Sequence, residues 1–418
     1  MNSDYSNDSA DQVLPMKAQE RVLVIAVVSY IGRGHFIPYH VSIGKVAQGA
    51  GYEYLVLVDE SCESKLPTDW SRTLHGVFSL RTPGVGPLLR KFQFVELFRA
   101  LRTSWQATRA FSESLRRATE LRAAEFDKVV FFIERFNPLH IAGIGLTCGA
   151  LRRRYGGHPH FGCWMIFNEA YIALQGGFRF FALRAAIRFL SWNLSQSGLG
   201  LLAYPETKGA LAKRLGREFM TVPLLPSIDV FALPPRPPPV GGISCWYAGL
   251  PRKEKGASEI EAITRFFDPE SSSNEKITLV LAESVSAIVP EGGVILRRVD
   301  NYLSEADYSK TLLNCHVLLM PYHPSLYADH GSNIFVEAIG AGRMPLVSSG
   351  TWLATQLSRY DLEQLVVDWK DPAFWGNVRR LVSDSSLWSR LEKMRKDYAD
   401  IYSEKGFRPV MTTLIGKM

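Results

Sequence analysis

The chain has 418 residues, more than one ordinary hydrophobic core accommodates, so two domains are expected. Hydrophobic residues make up 46% and charged residues 21%, with 23 Phe and 16 Tyr, which excludes a disordered or fibrous protein. The net charge of +7 points to a polyanionic partner, and it is unevenly spread: residues 1–239 hold 28 Lys and Arg against 19 Asp and Glu, whereas residues 240–418 hold 20 against 22.

Residues 1–20 open with MNSDYSNDSADQ, which lacks the basic start and apolar centre of a secretory signal and reads as a disordered leader. The apolar run Val22–Val28 is strand-sized, and no stretch approaches the roughly 18 uncharged apolar residues of a membrane-spanning helix. After this first strand comes Ser29-Tyr-Ile-Gly-Arg-Gly-His-Phe-Ile-Pro-Tyr39. Gly32 and Gly34 let backbone N–H groups approach an anion, or else simply turn a strand into a helix; the residues leave both readings open. A dinucleotide fingerprint would place a third glycine where Ile37 stands, which disfavours an NAD enzyme.

Further strands are expected at 54–58, 128–133, 162–167 and 200–203, and helices at 39–50, 88–124, 140–155, 178–194 and 208–215. His35, Glu134, Arg135, Asn168 and Glu169 fall at strand ends, where ordinary capping explains them as readily as catalysis does. In the helix at 88–124, Leu88, Val95, Phe98 and Trp105 share an arc with Lys91 and Arg102. The helix at 178–194 is apolar nearly all round except for Arg184 and Arg188. Aromatic and basic residues on one face suit an anionic membrane interface, while the plainer reading is a cationic helix partly packed on its own domain. Nucleic acid is disfavoured because the charge is interleaved with long apolar helices.

Leu233-Pro-Pro-Arg-Pro-Pro-Pro-Val-Gly-Gly242 holds neither a helix nor a central strand and divides the chain. The second half repeats the rhythm: strand 244–248, helix 257–267, strands 277–282 and 294–296, helix 304–314, strand 317–320, helix 334–341 and strand 346–347. Strands alternating with helices give parallel βαβ units, so the fold class expected is α/β, with two doubly wound Rossmann-like domains facing across a cleft. The divisions are a leader at 1–20, an acceptor-binding domain at 21–232, a linker at 233–242, a donor-binding domain at 243–395, and a segment at 396–418 returning toward the first domain. The helical stretch Leu387–Tyr402 is expected to make that crossing.

Two loops at the predicted cleft carry chemistry. Gly249-Leu-Pro-Arg-Lys-Glu-Lys-Gly256 follows the second domain's first strand, where Arg252 and Lys255 can neutralise a diphosphate leaving group. In the run from Met320 to Ser348, Asp329 and Glu337 lie eight positions apart. Ser332 and Asn333 open a helix whose positive end suits phosphate oxygens, and a plain N-cap accounts for part of this but not for the small run Ala338–Gly342. His323 and His330 lack a clear third metal ligand, so a structural or sugar-contacting role is preferred.

On these residues the chain resembles retaining glycosyltransferases of the GT-B fold, of the type grouped as family 4, in the bacterial glycan-assembly branch. Their acid-x7-acid motif and G-x-P-V-V are similar to Asp329–Glu337 and Gly342–Val347. A G-x-x-R-x-E-K-G motif is matched at Gly249, Arg252, Glu254, Lys255 and Gly256, and a Y…S-G-x-F-x-E-A pattern at Tyr322, Ser332, Phe335, Glu337 and Ala338. Val222–Asp229 is similar to V-I-P-N-G-I-D, and the likeness spans residues 200 to 355.

The resemblance implies transfer of a hexosyl group from a UDP- or GDP-linked sugar to a glycan or lipid-linked acceptor, without cofactor or metal. Arg252 and Lys255 would hold the diphosphate, Glu337 the ribose and Asp329 the donor sugar. Gly249, Ser332, Asn333 and Ile334 would complete the phosphate cradle opposite Gly32 and Gly34, with His35, Asn168 and Glu169 on the acceptor side. Asp329 stands where Glu is usual and Asn333 where Gly is common, which bears on the donor sugar. Two alternatives share the fold: a catalytically silent nucleotide- or glycan-binding partner, and a sugar-nucleotide epimerase. Five scattered cysteines without a C-x-x-C pair suit a reducing cytoplasm, with peripheral attachment at the inner membrane face as the further expectation.

Overall fold

The computed structural model describes residues 20–28, 36–62, 66–75, 94–167, 178–233, 241–266, 276–291 and 293–418. Residues 1–19, the glycine loop with Gly32, Gly34 and His35, the pair Asn168 and Glu169, and the proline-rich run 234–240 lie outside them.

The first half forms a seven-stranded sheet in the order β3-β2-β1-β4-β5-β6-β7, from β1 (Val22–Val28), β2 (Glu53–Asp59), β3 (Ser71–Leu74), β4 (Lys128–Ile133), β5 (His160–Phe167), β6 (Leu199–Ala203) and β7 (Met220–Thr221). Every pairing is parallel, with β1 between β2 and β4: Val24 faces Tyr54 on one side and Val130 on the other. Side chains of β1 alternate between two cores. Leu23, Ile25 and Val27 join one; Val22, Val24, Ala26 and Val28 join the other. A strand buried on both faces must be apolar throughout, which is why this run reads as continuous rather than alternating.

The helices are α1 (Phe36–Gly49), α2 (Phe94–Glu120), α3 (Pro138–Tyr155), α4 (Phe178–Asn193) and α5 (Pro205–Leu215). Phe111 of α2, Ile144 of α3 and Leu190 of α4 pack on one face of the sheet, and α1 covers the other. Asn137 caps α3, accepting from the N–H groups of Leu139 and His140, and left-handed Gly156 ends it.

The second half forms a five-stranded parallel sheet, β10-β9-β8-β11-β12, from β8 (Ile243–Trp246), β9 (Ile277–Ala282), β10 (Ile295–Val299), β11 (Val317–Met320) and β12 (Met344–Val347). Its helices are α6 (Ala257–Ile263), α7 (Glu305–Asn314), α8 (Pro324–Tyr327), α9 (Asn333–Gly340), α10 (Trp352–Ser358), α11 (Phe374–Ser383), α12 (Ser385–Tyr402) and α13 (Glu404–Gly416). The expected α/β class with two parallel, doubly wound layers is what the chain adopts.

One element behaves differently from expectation. Helix α12, expected to cross to the first domain, buries Leu387, Leu391, Met394 and Tyr398 in the second core. The crossing is made one helix later by α13, whose Phe407, Met411, Leu414 and Ile415 pack against α1 and the first sheet. Among the described residues, no helix is long and apolar enough to cross a membrane.

The small run Ala338–Gly342 has a packing reason. A Cβ on Gly340 would meet Val230 Cγ2 at 2.3 Å and the Phe231 ring at 3.0 Å, so glycine lets the connector between the domains lie against α9. Arg395 fastens the same connector, donating to the carbonyls of Gly340 at 2.8 Å, Phe231 at 3.2 Å and Leu233 at 2.6 Å. Gly340→Ala should therefore destabilise the protein by about 1–3 kcal/mol. Gly376→Ala, in α11 with nothing within 4 Å of the new methyl, should stabilise it by about 0.5–1 kcal/mol. Urea unfolding midpoints of the two variants should move in opposite directions.

Candidate functional site

In open parallel sheets, ligands bind beyond the carboxyl ends of the strands where the strand order reverses. Those points are β1/β4 in the first sheet and β8/β11 in the second, and a cavity of about 500 Å³ lies against both. Pro38 and Tyr39 from α1, and Glu134 and Arg135 following β4, form the first domain's wall. The facing wall carries Tyr247, Gly249, Arg252 and Lys255 after β8, together with Asn333 and Ile334 at the start of α9.

The loop 249–256 is shaped by its glycines. Gly249 sits at φ 95° and Gly256 at φ 75°, both in the left-handed region. A Cβ on Gly256 would lie 2.0 Å from the Pro321 carbonyl oxygen, so only glycine brings this loop against the end of β11. His323 N–H then donates to the Glu254 carbonyl at 3.0 Å, closing the two loops on each other. Lys255 is thereby laid over the Tyr322 ring at 5.5 Å from its centroid. Burial lowers its ammonium pKa from the ordinary lysine value, and the adjacent Arg252 cation pushes the same way. Neither Arg252 nor Lys255 makes an ion pair among the described residues.

Helix α9 begins at Ser332, whose hydroxyl accepts from Phe335 N–H at 3.3 Å. Asn333 and Ile334 line the cavity at this positive end, and the Asn333 Oδ1 is buried without a hydrogen-bond partner among the described residues.

Glu337 lies one turn further along α9, is 0% exposed, and does not line the cavity. Its carboxylate accepts from the Ser227 N–H at 2.8 Å, the Ser227 hydroxyl, and the Tyr308 hydroxyl at 2.5 Å. Ser227 belongs to the connector and Tyr308 to α7, and both border the cavity. Asp329 is exposed in the turn after α8 and is not among the residues lining the cavity. The two histidines have local partners: His323 caps α8 and meets Ser325 Oγ at 2.8 Å, while the His330 ring packs at a tilt against Tyr327 with centroids 4.9 Å apart. No cluster of three or more potential metal ligands occurs among the described residues.

Two features escape a reading by strand ends and motifs alone. Asp300, Asn301, Tyr302 and Ser304, between β10 and α7, form a third side of the cavity. Their only signal is position, a polar loop after a strand. The second is the surroundings of Glu134, a strand-end candidate whose environment is set by distant residues. Burial raises its carboxyl pKa from the ordinary carboxylate value to about 7, with Arg135 pulling the other way. His40 Nε2 approaches it to 4.0 Å, but burial lowers the His40 pKa to about 4. The imidazole is therefore neutral near pH 7 and supplies no countercharge. Its Nδ1 meets the Tyr54 hydroxyl at 3.1 Å.

No protein-family model matches the sequence, and no curated protein matches it. Solved structures do. OtsA, a trehalose-6-phosphate synthase, is similar over 95% of this chain and 99% of its own, with 13% identity and a TM-score of 0.57. WaaG, a glycosyltransferase involved in lipopolysaccharide biosynthesis, is similar over 94% and 99%, with 13% identity and a TM-score of 0.52. The chain has the GT-B fold. The glycosyltransferase SnogD from Streptomyces nogalater is a third such structure, covering 95% of this chain and 100% of its own at 15% identity and a TM-score of 0.50. GT-B architecture thus extends over nearly the whole length, beyond the 200–355 span of the motif resemblance.

Two measurements probe this geometry. Glu337→Ala leaves three donors without their acceptor and should cost about 2–4 kcal/mol in denaturant unfolding. Glu134, with its folded pKa raised, favours folding below its unfolded value, and that stability is lost as pH rises from about 4.5 through about 7. Glu134→Gln should therefore exceed the parent in stability at pH 8, by up to about 3 kcal/mol, and the two should converge at pH 5.

Proposed function

We propose that this protein is a glycosyltransferase that moves a hexosyl group from a UDP- or GDP-linked sugar to a glycan or lipid-linked acceptor with retention of configuration. The observation that carries the reading is the convergence of Arg252, Lys255 and the amino end of α9 on one cavity between the two sheets, with no acid paired to either cation among the described residues. The GT-B fold and the motif resemblance support the same reaction class.

In this reading the bond from the sugar C1 to the phosphate oxygen breaks, its electron pair leaves on the diphosphate, and an acceptor hydroxyl adds to C1 while giving up its proton to the departing phosphate oxygen. The developing charge on the diphosphate is what the site must stabilise. Arg252 and Lys255 meet it as two cations, and the N–H groups at Asn333 and Ile334 add the helix's partial positive charge. These groups suffice for the leaving group, so no metal is assigned a role. The loop 300–304 and Ser227 receive the nucleoside, Glu337 fixes the ribose side of the pocket, Ser332 and Gly249 shape the phosphate cradle, and Asp329 is assigned to the donor sugar on its motif position alone. Gly32, Gly34, His35, Asn168 and Glu169 are assigned to the facing wall on sequence position alone. The site of action is the cytoplasm, at the inner face of the membrane.

Nucleotide sugars should raise the melting temperature by mass action, and the panel member giving the largest shift identifies the donor. Arg252→Ala and Lys255→Ala should each lower kcat/KM by about 10²–10³-fold. Undiminished turnover in both variants would overturn the assignment. Donor binding without any turnover, across a broad acceptor panel, would instead favour the silent binding partner.

A further inference from the structure

A second cavity, of about 370 Å³, lies outside the cleft between α4 and the end of α5. Its floor is apolar, from buried Ile187 and Leu215, and Phe181, Arg184, Arg188 and Arg217 stand around it. None of the three arginines pairs with an acid among the described residues. Three like charges about one small pocket repel one another, and an anion seated among them reverses the sign of that interaction.

The surroundings say what kind of anion. Phe181, on the rim, is 70% exposed, and Trp192 on the same helix is 73% exposed. Helices α2 and α4 both flank α3 in one layer. On α2, Val95, Phe98, Leu101 and Trp105 are exposed at helical spacing, with Phe98 at 68%. Interleaved with them are Arg99 and Arg102, with Arg109 one turn beyond Trp105; all three are exposed and without ion pairs among the described residues, and they outnumber Glu96, the one exposed acid between Val95 and Arg109. The far end of α2 is different: Arg116 pairs with Glu113 at 2.7 Å and with Glu120 at 2.6 Å, and Arg154 of α3 pairs with Glu120 at 3.0 Å. Uncompensated charge therefore coincides with exposed aromatic surface. A free phosphate ion gives such aromatics nothing to enter, whereas an anionic bilayer takes both the rings and the cations.

We propose that the α2–α3–α4 layer docks on an anionic lipid surface, and that Arg184, Arg188 and Arg217 hold a lipid phosphate with its first methylenes over Phe181. This stands independently of the glycosyl-transfer reading, because it concerns a different surface and its readout is binding.

Co-sedimentation of the full chain with phosphatidylcholine vesicles, with and without phosphatidylglycerol, tests it. Binding should require phosphatidylglycerol and weaken as salt is raised. The triple variant Arg184→Ala, Arg188→Ala, Arg217→Ala should partition about 10²-fold less at low salt. Phe98→Ser with Trp105→Ser should also reduce partitioning while leaving the melting temperature unchanged, since both side chains are exposed. Absence of binding to anionic vesicles at low salt would overturn the docking. Parent-like binding by the triple variant would overturn the headgroup pocket. Inorganic phosphate that stabilises the parent but not the triple variant, with no vesicle binding by either, would make the ligand a soluble anion and overturn the bilayer.

Discussion

The Glu337 carboxylate is the constraint on which the candidate site depends. A carboxylate removed from water is costly unless its oxygens are satisfied, and here one oxygen accepts twice from Ser227 while the other accepts from Tyr308. Those partners lie 110 and 29 positions away in sequence, on the connector and on α7. Three pieces of the cavity are thus fixed relative to one another by one charge. Burial and the nearby carboxylate also raise the Tyr308 pKa, which keeps the phenol a donor. Gly340 and Arg395 serve the same junction, the glycine by admitting the connector against α9 and the arginine by satisfying its carbonyls.

How much of this was legible in the sequence follows from what each part depends on. Strand β11 is a continuous apolar run, and β4 and β9 are apolar but for Lys128 and Thr278, so their bounds can be read directly, because strands buried on both faces are apolar nearly throughout. The edge strand β3, Ser-Arg-Thr-Leu, carries no such signal, since only Leu74 is buried and its pairing with β2 supplies the structure. The segment 396–418 is expected to return to the first domain, but with Leu387–Tyr402 as the crossing helix rather than α13. Its apolar residues could have served either core, and only the tertiary fold chooses the first sheet.

At the site, Arg252, Lys255, Asn333 and Ile334 were legible because position after a strand or before a helix decides where they point. Glu337 was found for its spacing from Asp329, yet spacing does not reveal Ser227 or Tyr308, and it does not separate the buried Glu337 from the exposed Asp329. The loop 300–304 was invisible for another reason: polar residues after a strand are ordinary turn chemistry until a second domain faces them.

The charge asymmetry between the halves takes a physical form in the fold. The near-neutral half sets one cation, Lys255, against an aromatic ring in a partly desolvated corner, where burial weakens its hold on its own proton. Opposing it across the cavity is Glu134, the carboxyl whose own burial favours the protonated form. Both shifts have the same origin, burial that disfavours the charged form. A cleft that disfavours isolated charge of either sign favours a charged guest that brings its own complement to Arg252 and Lys255, because the Coulomb attraction gained in low dielectric exceeds that available in water. The basic half holds its excess differently, on solvated arginines that keep their charge at any physiological pH. Electrostatics at the cleft should therefore depend on proton concentration, while electrostatics on the outer helices should depend on salt.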